Sequence, residues 1–92
     1  MAEDRPATPG WVEERLEEIW SRRYLPATAA VNASRDAYLA CLAGCGEGME
    51  SCHDVCRTEC IGALRHAKIA PDTLAGLEAE LEALEAELTD RT

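Results

Sequence analysis

Apolar residues recur along this chain at three- and four-residue steps, the period that lines one face of an α-helix. Between Trp11 and Leu25 the recurring positions are Val12, Leu16, Ile19, Trp20 and Tyr24, with Glu13, Glu14, Glu17 and Glu18 on the opposing side. The pattern predicts a surface helix with one apolar face, capped by Thr8, with Pro9 in its first turn, and ended by Pro26. Its early acids and its late Arg22 and Arg23 suit the helix dipole. A second helix is predicted from Ala27 to Cys45, with Val31, Tyr38, Cys41 and Cys45 on one stripe and Leu42 beside it. Gly44, Gly46 and Gly48 then place a turn. Ser51 opens a third helix, with Asp54 three positions on in a capping-box-like arrangement; this helix runs through Ile69 and stops before Pro71.

The last segment, Asp72 to Leu88, is the most regular. Leu74, Leu77, Leu81, Leu84 and Leu88 follow a 3-4-3-4 spacing, with Glu78, Glu80, Glu82, Glu85 and Glu87 on the remaining positions. Two heptads suggest a leucine face that packs on the hairpin or on a second copy of the chain. The expected fold is therefore all-α: a small antiparallel bundle built on a cysteine-rich helical hairpin over residues 27–70. An N-terminal amphipathic helix and a C-terminal leucine-rich helix over 72–88 complete it. Residues 1–8 are polar, carry Pro6 and read as a flexible tail, leaving 9–92 as a single helical domain.

Composition sharpens this picture in two ways. Ninety-two residues is near the lower end for independent folding, and Phe is absent, so Trp11, Trp20, Tyr24 and Tyr38 are the only large rings. Such a thin core gains from cross-links, metal or a partner. The charge is strongly acidic, with nine basic against eighteen acidic residues and a formal net charge of -9. A phosphate-binding surface needs the opposite sign, which argues against nucleic acid and anionic membrane as partners. No stretch is long and apolar enough to insert in a membrane. The opening residues do not read as a secretory signal, so a cytoplasmic location or an oxidising compartment reached without a signal is expected.

Chemistry concentrates in five cysteines: Cys41, Cys45, Cys52, Cys56 and Cys60. Residues four apart share a helix face, so Cys41 and Cys45 form one vertical pair and Cys52, Cys56 and Cys60 a column of three on the next helix. In an antiparallel hairpin Cys45 faces Cys52 near the turn, and Cys41 faces Cys56 one turn further on. Two disulfides, Cys41–Cys56 and Cys45–Cys52, are therefore one expectation. The alternative is that all five sulfurs serve as thiolate ligands for a soft metal, copper or zinc. A thiol redox role is a third possibility.

The twin C-x3-C arrangement resembles helical-hairpin proteins locked by two bridges, such as the small chaperones of the mitochondrial intermembrane space. The resemblance covers Cys41, Cys45, Cys52 and Cys56, with six residues between the motifs where a longer stretch is usual. Thiol-lined helical bundles that store copper are a second likeness. Cys60 faces Ala37 across the hairpin and has no partner cysteine there. It is a buried thiol, a further metal ligand, or a link to another chain. His53 is expected to face solvent, and His66 to serve the dipole at its helix C-terminus.

Nothing in the sequence completes a catalytic set. Neither histidine is placed as a base for a cysteine nucleophile, and the short cysteine spacings are C-x3-C where a thioredoxin-like site uses C-x-x-C. The glutamates read as a solvated face. The leading expectation is a non-enzymatic adaptor or accessory subunit without a cofactor. It would bind a partner protein, or itself as a homo-oligomer, through Val12, Leu16, Ile19 and Trp20 on one helix and Leu74, Leu77, Leu81, Leu84 and Leu88 on the other.

Overall fold

A computed structural model describes residues 9–45 and 50–91. Four helices follow in order: α1 (Gly10–Arg22), α2 (Ala29–Ala43), α3 (Glu50–His66) and α4 (Pro71–Arg91). The architecture is a small all-α bundle. Helices α2 and α3 form the cysteine hairpin, α4 packs along α3, and α1 packs along α4. Pairs such as Arg15–Glu87 and Arg22–Glu80 show that α1 and α4 run antiparallel.

Helix boundaries follow local chemistry. Thr28 caps α2, its hydroxyl accepting from the Val31 N–H at 3.2 Å, so this helix starts two residues later than Ala27. Pro71 takes the first position of α4, where its missing N–H costs nothing. Helix α3 already includes Glu50, which puts Ser51 inside the helix; Thr8, Gly46 and Gly48 lie outside the described residues.

Two helices stop earlier than their hydrophobic pattern implies. At the end of α1, Tyr24 adopts φ 56°, its N–H donates to the Ser21 carbonyl, and the Leu25 N–H reaches back to Trp20. The end of α3 repeats this with Lys68 at φ 67°, Lys68 N–H to Arg65 and Ile69 N–H to Leu64. Both are Schellman closures with a non-glycine residue in the left-handed position. A proline follows each by two or three residues, which explains the stop: the chain cannot continue as a helix into Pro26 or Pro71. Tyr24 is consequently turned out to solvent, 91% exposed, and does not extend the apolar face of α1.

The core is a single cluster drawn from all four helices. Val12, Leu16, Ile19 and Trp20 of α1 meet Leu74, Leu77, Leu81, Leu84 and Leu88 of α4, together with Val31, Tyr38, Leu42, Ile61 and Leu64 from the hairpin. All nine residues expected to meet a partner protein are thus buried within this chain, none more than 7% exposed. The reason is mutual complementarity: two amphipathic helices in one chain cover each other's apolar faces before any second molecule is needed.

Ion pairs flank this seam. Arg15 binds Glu87 at 2.7 Å and stacks over the Trp11 ring at 5.5 Å. Arg22 and Arg23 converge on Glu80 at 2.7 and 2.5 Å. Gly76 makes the second contact possible, because the Arg23 guanidinium lies over the backbone where a Cβ would stand. Burial works against ionising Glu80, but the two arginines prevail and hold its carboxyl below the ordinary range.

Candidate functional site: the sulfur cluster

Small residues let α2 and α3 approach closely. Cys41 and Cys56 have Cα atoms 5.7 Å apart and share a bond of 2.03 Å; Cys45 and Cys52 stand 5.9 Å apart with a bond of 1.96 Å. Both separations are ordinary for bridged cysteines. The constant sum of the paired residue numbers is the signature of an antiparallel hairpin. It also places the bridges one turn apart, stacked along the helix axis.

The stacking brings the bridges together. Cys45 Sγ lies 3.8 Å from Cys56 Sγ, a sulfur–sulfur contact, since neither bridged atom carries a proton. Cys45, Cys52 and Cys56 form a group whose sulfurs all lie within 4.8 Å of one another. Among the described residues this is the one set of three or more cysteine, histidine or carboxylate groups gathered that tightly. The cluster is therefore capable of forming disulfides or of coordinating a metal.

Cys60 continues the column but is not bonded. Its thiol donates to the Ser34 carbonyl at 3.7 Å, and burial pushes its pKa up to about 12. With the Cys41–Cys56 bridge and Ala37, among others, it lines a cavity of about 60 Å³. A neutral buried thiol is a weak nucleophile.

His53 departs from expectation. It is buried, 5% exposed, with Nδ1 lacking a hydrogen-bond partner, because α4 packs over the face of α3 that carries it. His66 is exposed, as a dipole-facing residue requires. His53 lines a cavity of about 240 Å³ with Glu50, Asp54, Arg57, Glu82 and Glu85. Glu50 and His53 stand at Glu-x-x-His spacing on α3, contrary to a reading of the sequence as lacking that motif. Three of these carboxylates are engaged by Arg57, which pairs with Glu85, with Asp54 at 2.9 Å and with Glu82 at 3.9 Å.

Glu85 is the residue that pattern reading misplaces most. It is 5% exposed, accepts from the Tyr38 hydroxyl at 2.6 Å, and ties α4 to both hairpin helices through Tyr38 and Arg57. Burial raises its pKa against the pull of those two partners, and burial likewise raises that of Tyr38. The available signal was its position: four residues after Leu81, one after Leu84 and three before Leu88, so it stands on the leucine face.

No family model, curated protein or solved structure matches this chain. Among its described helices, none is long and apolar enough to cross a membrane.

Proposed function

We propose that this protein binds a soft metal ion, zinc or Cu(I), through the thiolates of Cys41, Cys45, Cys52 and Cys56 once the two bridges are reduced. The observation that carries the reading is the gathering of three sulfurs from two helices within 4.8 Å, with 3.8 Å between the bridges. A tetrahedral zinc–thiolate centre with zinc–sulfur bonds of roughly 2.3 Å spaces its sulfurs by about 3.8 Å. Cu(I) needs only two or three of the same ligands, and thiolate softness favours both ions over magnesium or calcium. Bridged and metal-loaded forms exclude each other, since each disulfide must accept two electrons before its sulfurs can ligate. The protein would then hold metal under reducing conditions and release it on oxidation.

The adaptor reading loses the feature it rested on, because the apolar faces of α1 and α4 are consumed inside the chain. Among the described residues the large apolar side chains left exposed are Tyr24, after the end of α1, and Val55, within α3, which belong to different elements.

The deciding experiment reduces the full chain anaerobically, removes the reductant, and titrates it with zinc, with cobalt as a spectroscopic substitute, and with Cu(I). One equivalent of zinc and an intense sulfur-to-cobalt charge-transfer band, both lost in Cys52→Ser/Cys56→Ser, are expected. Reduced, folded protein that leaves zinc and Cu(I) with a weak competing chelator would reject the proposal.

A further inference from the structure

The two bridges lie in contact, yet their four sulfurs are not equivalent. Cys56 is the sulfur of the Cys41–Cys56 bridge that belongs to the tight group with Cys45 and Cys52; its bonded partner Cys41 lies outside that group. Cys56 is also fully buried, at 1% exposure, while Cys41, Cys45 and Cys52 are each partly open to solvent. A reductant in solution therefore cannot approach Cys56, but Cys45 already stands 3.8 Å from it.

Thiol–disulfide exchange requires a thiolate next to a disulfide sulfur, with the second sulfur leaving on the far side. We infer that the stacked bridges act as an internal exchange relay, in which opening of the Cys45–Cys52 bridge is passed to Cys41 through Cys56. The first step takes a small monothiol as reductant. Its thiolate attacks Cys52, forms a mixed disulfide there, and releases Cys45 as a thiolate. Cys45 then attacks Cys56, the Cys41–Cys56 bond breaks, and Cys41 leaves as the thiolate. This second step forms one disulfide, breaks one, and needs no external electron. A second monothiol frees Cys52 and departs as the oxidised dimer. The chain has gained two electrons, keeps one bridge as Cys45–Cys56, and carries free thiols at Cys41 and Cys52.

Cys60 takes no part. Its thiol stays protonated in its buried site and is hydrogen-bonded to Ser34, whereas Cys45 leaves the first step already ionised. The relay is a property of the bridged protein and stands apart from metal binding by the reduced one.

The test uses the full-length Cys52→Ser chain, purified oxidised, which leaves an odd sulfur in the cluster without added reductant. After incubation near pH 8 the protein is trapped with an alkylating agent and cleaved after Glu50, and the label is located by tandem mass spectrometry. Label shared between Cys41 and Cys45 is expected, the Cys41 share growing with time before trapping. Label confined to Cys45 throughout would overturn the relay. A second variant guards against misfolding of the first: Cys41→Ser/Cys52→Ser should form Cys45–Cys56 as its only bridge and keep the helical content of the parent. Alkylation of both Cys45 and Cys56 in that protein would equally overturn the proposal, whatever the outcome of the metal titration.

Discussion

The α2–α3 hairpin and the α1–α4 pair solve the same problem with different materials. The hairpin brings α2 and α3 together at small residues, among them Ser34, Ala37, Ala63 and the cysteines, and is tied by two covalent bridges. The α1–α4 pair has no cross-link among its described residues; it is held by fully buried leucines, Val12 and Ile19, with arginine–glutamate pairs along the edge. Small residues allow the close approach that disulfide geometry demands, and large ones keep helices apart while excluding water. The lesson is that the reactive half of this molecule is also its cross-linked half, so its stability is tied to its redox state.

The largest effect should come from the bridges taken together. Removing the wider one as C41S/C56S, with the nested bridge still in place, and the narrower one as C45S/C52S should each cost about 2.5 kcal/mol from loop closure alone. Urea unfolding of each variant checks both values, and a loss well below these would mean that hairpin packing has been underrated. Next comes the junction between the two regions. Glu85→Ala leaves Arg57 short of a partner and the Tyr38 hydroxyl without one, and should cost about 3 kcal/mol. The triple change Tyr38→Phe, Arg57→Met and Glu85→Leu should recover most of that loss in the same assay, because none of the three positions then carries a polar group in need of a partner.

Most of the architecture was legible in the period of the chain. Four helices, the antiparallel hairpin and the leucine stripe follow from residues that recur every three or four positions, as Leu74 to Leu88 do. The helix ends were less legible, because a left-handed Tyr24 or Lys68 depends on backbone bonds that close only once the helix exists. Tyr24→Gly should raise stability by about 1 kcal/mol, since a β-carbon is penalised at φ 56° and the ring makes little contact at 91% exposure. Thermal unfolding would show it, and an unchanged midpoint would mean that the tyrosine ring contributes as much as the strain removes.

The smallest effect lies at the edge of the α1–α4 pair. The folded pKa of Glu80 lies below its unfolded value, so its contribution is fully present above the ordinary carboxylate range and fades as pH falls through the folded value. With both arginines at least one-third exposed, the amount is no more than about 1 kcal/mol. Glu80→Gln should therefore flatten the acid limb of a stability-against-pH curve slightly and leave stability near pH 4 closer to that of the parent than stability at pH 7. Glu85 acts with the opposite sign, since its raised pKa favours the folded state on protonation.

Sequence alone determined which faces are apolar, where the cysteines stand on their helices, and that two pairs of them can meet across a hairpin. These are consequences of helix geometry, which repeats locally and needs no knowledge of neighbours. Tertiary structure alone decided what covers those faces. It turned nine partner-facing candidates into core, buried His53 and Glu85 beneath and within α4, and stacked the bridges so that Cys45 meets Cys56. Each of these depends on which helix lies against which, and a one-helix period carries no record of that choice.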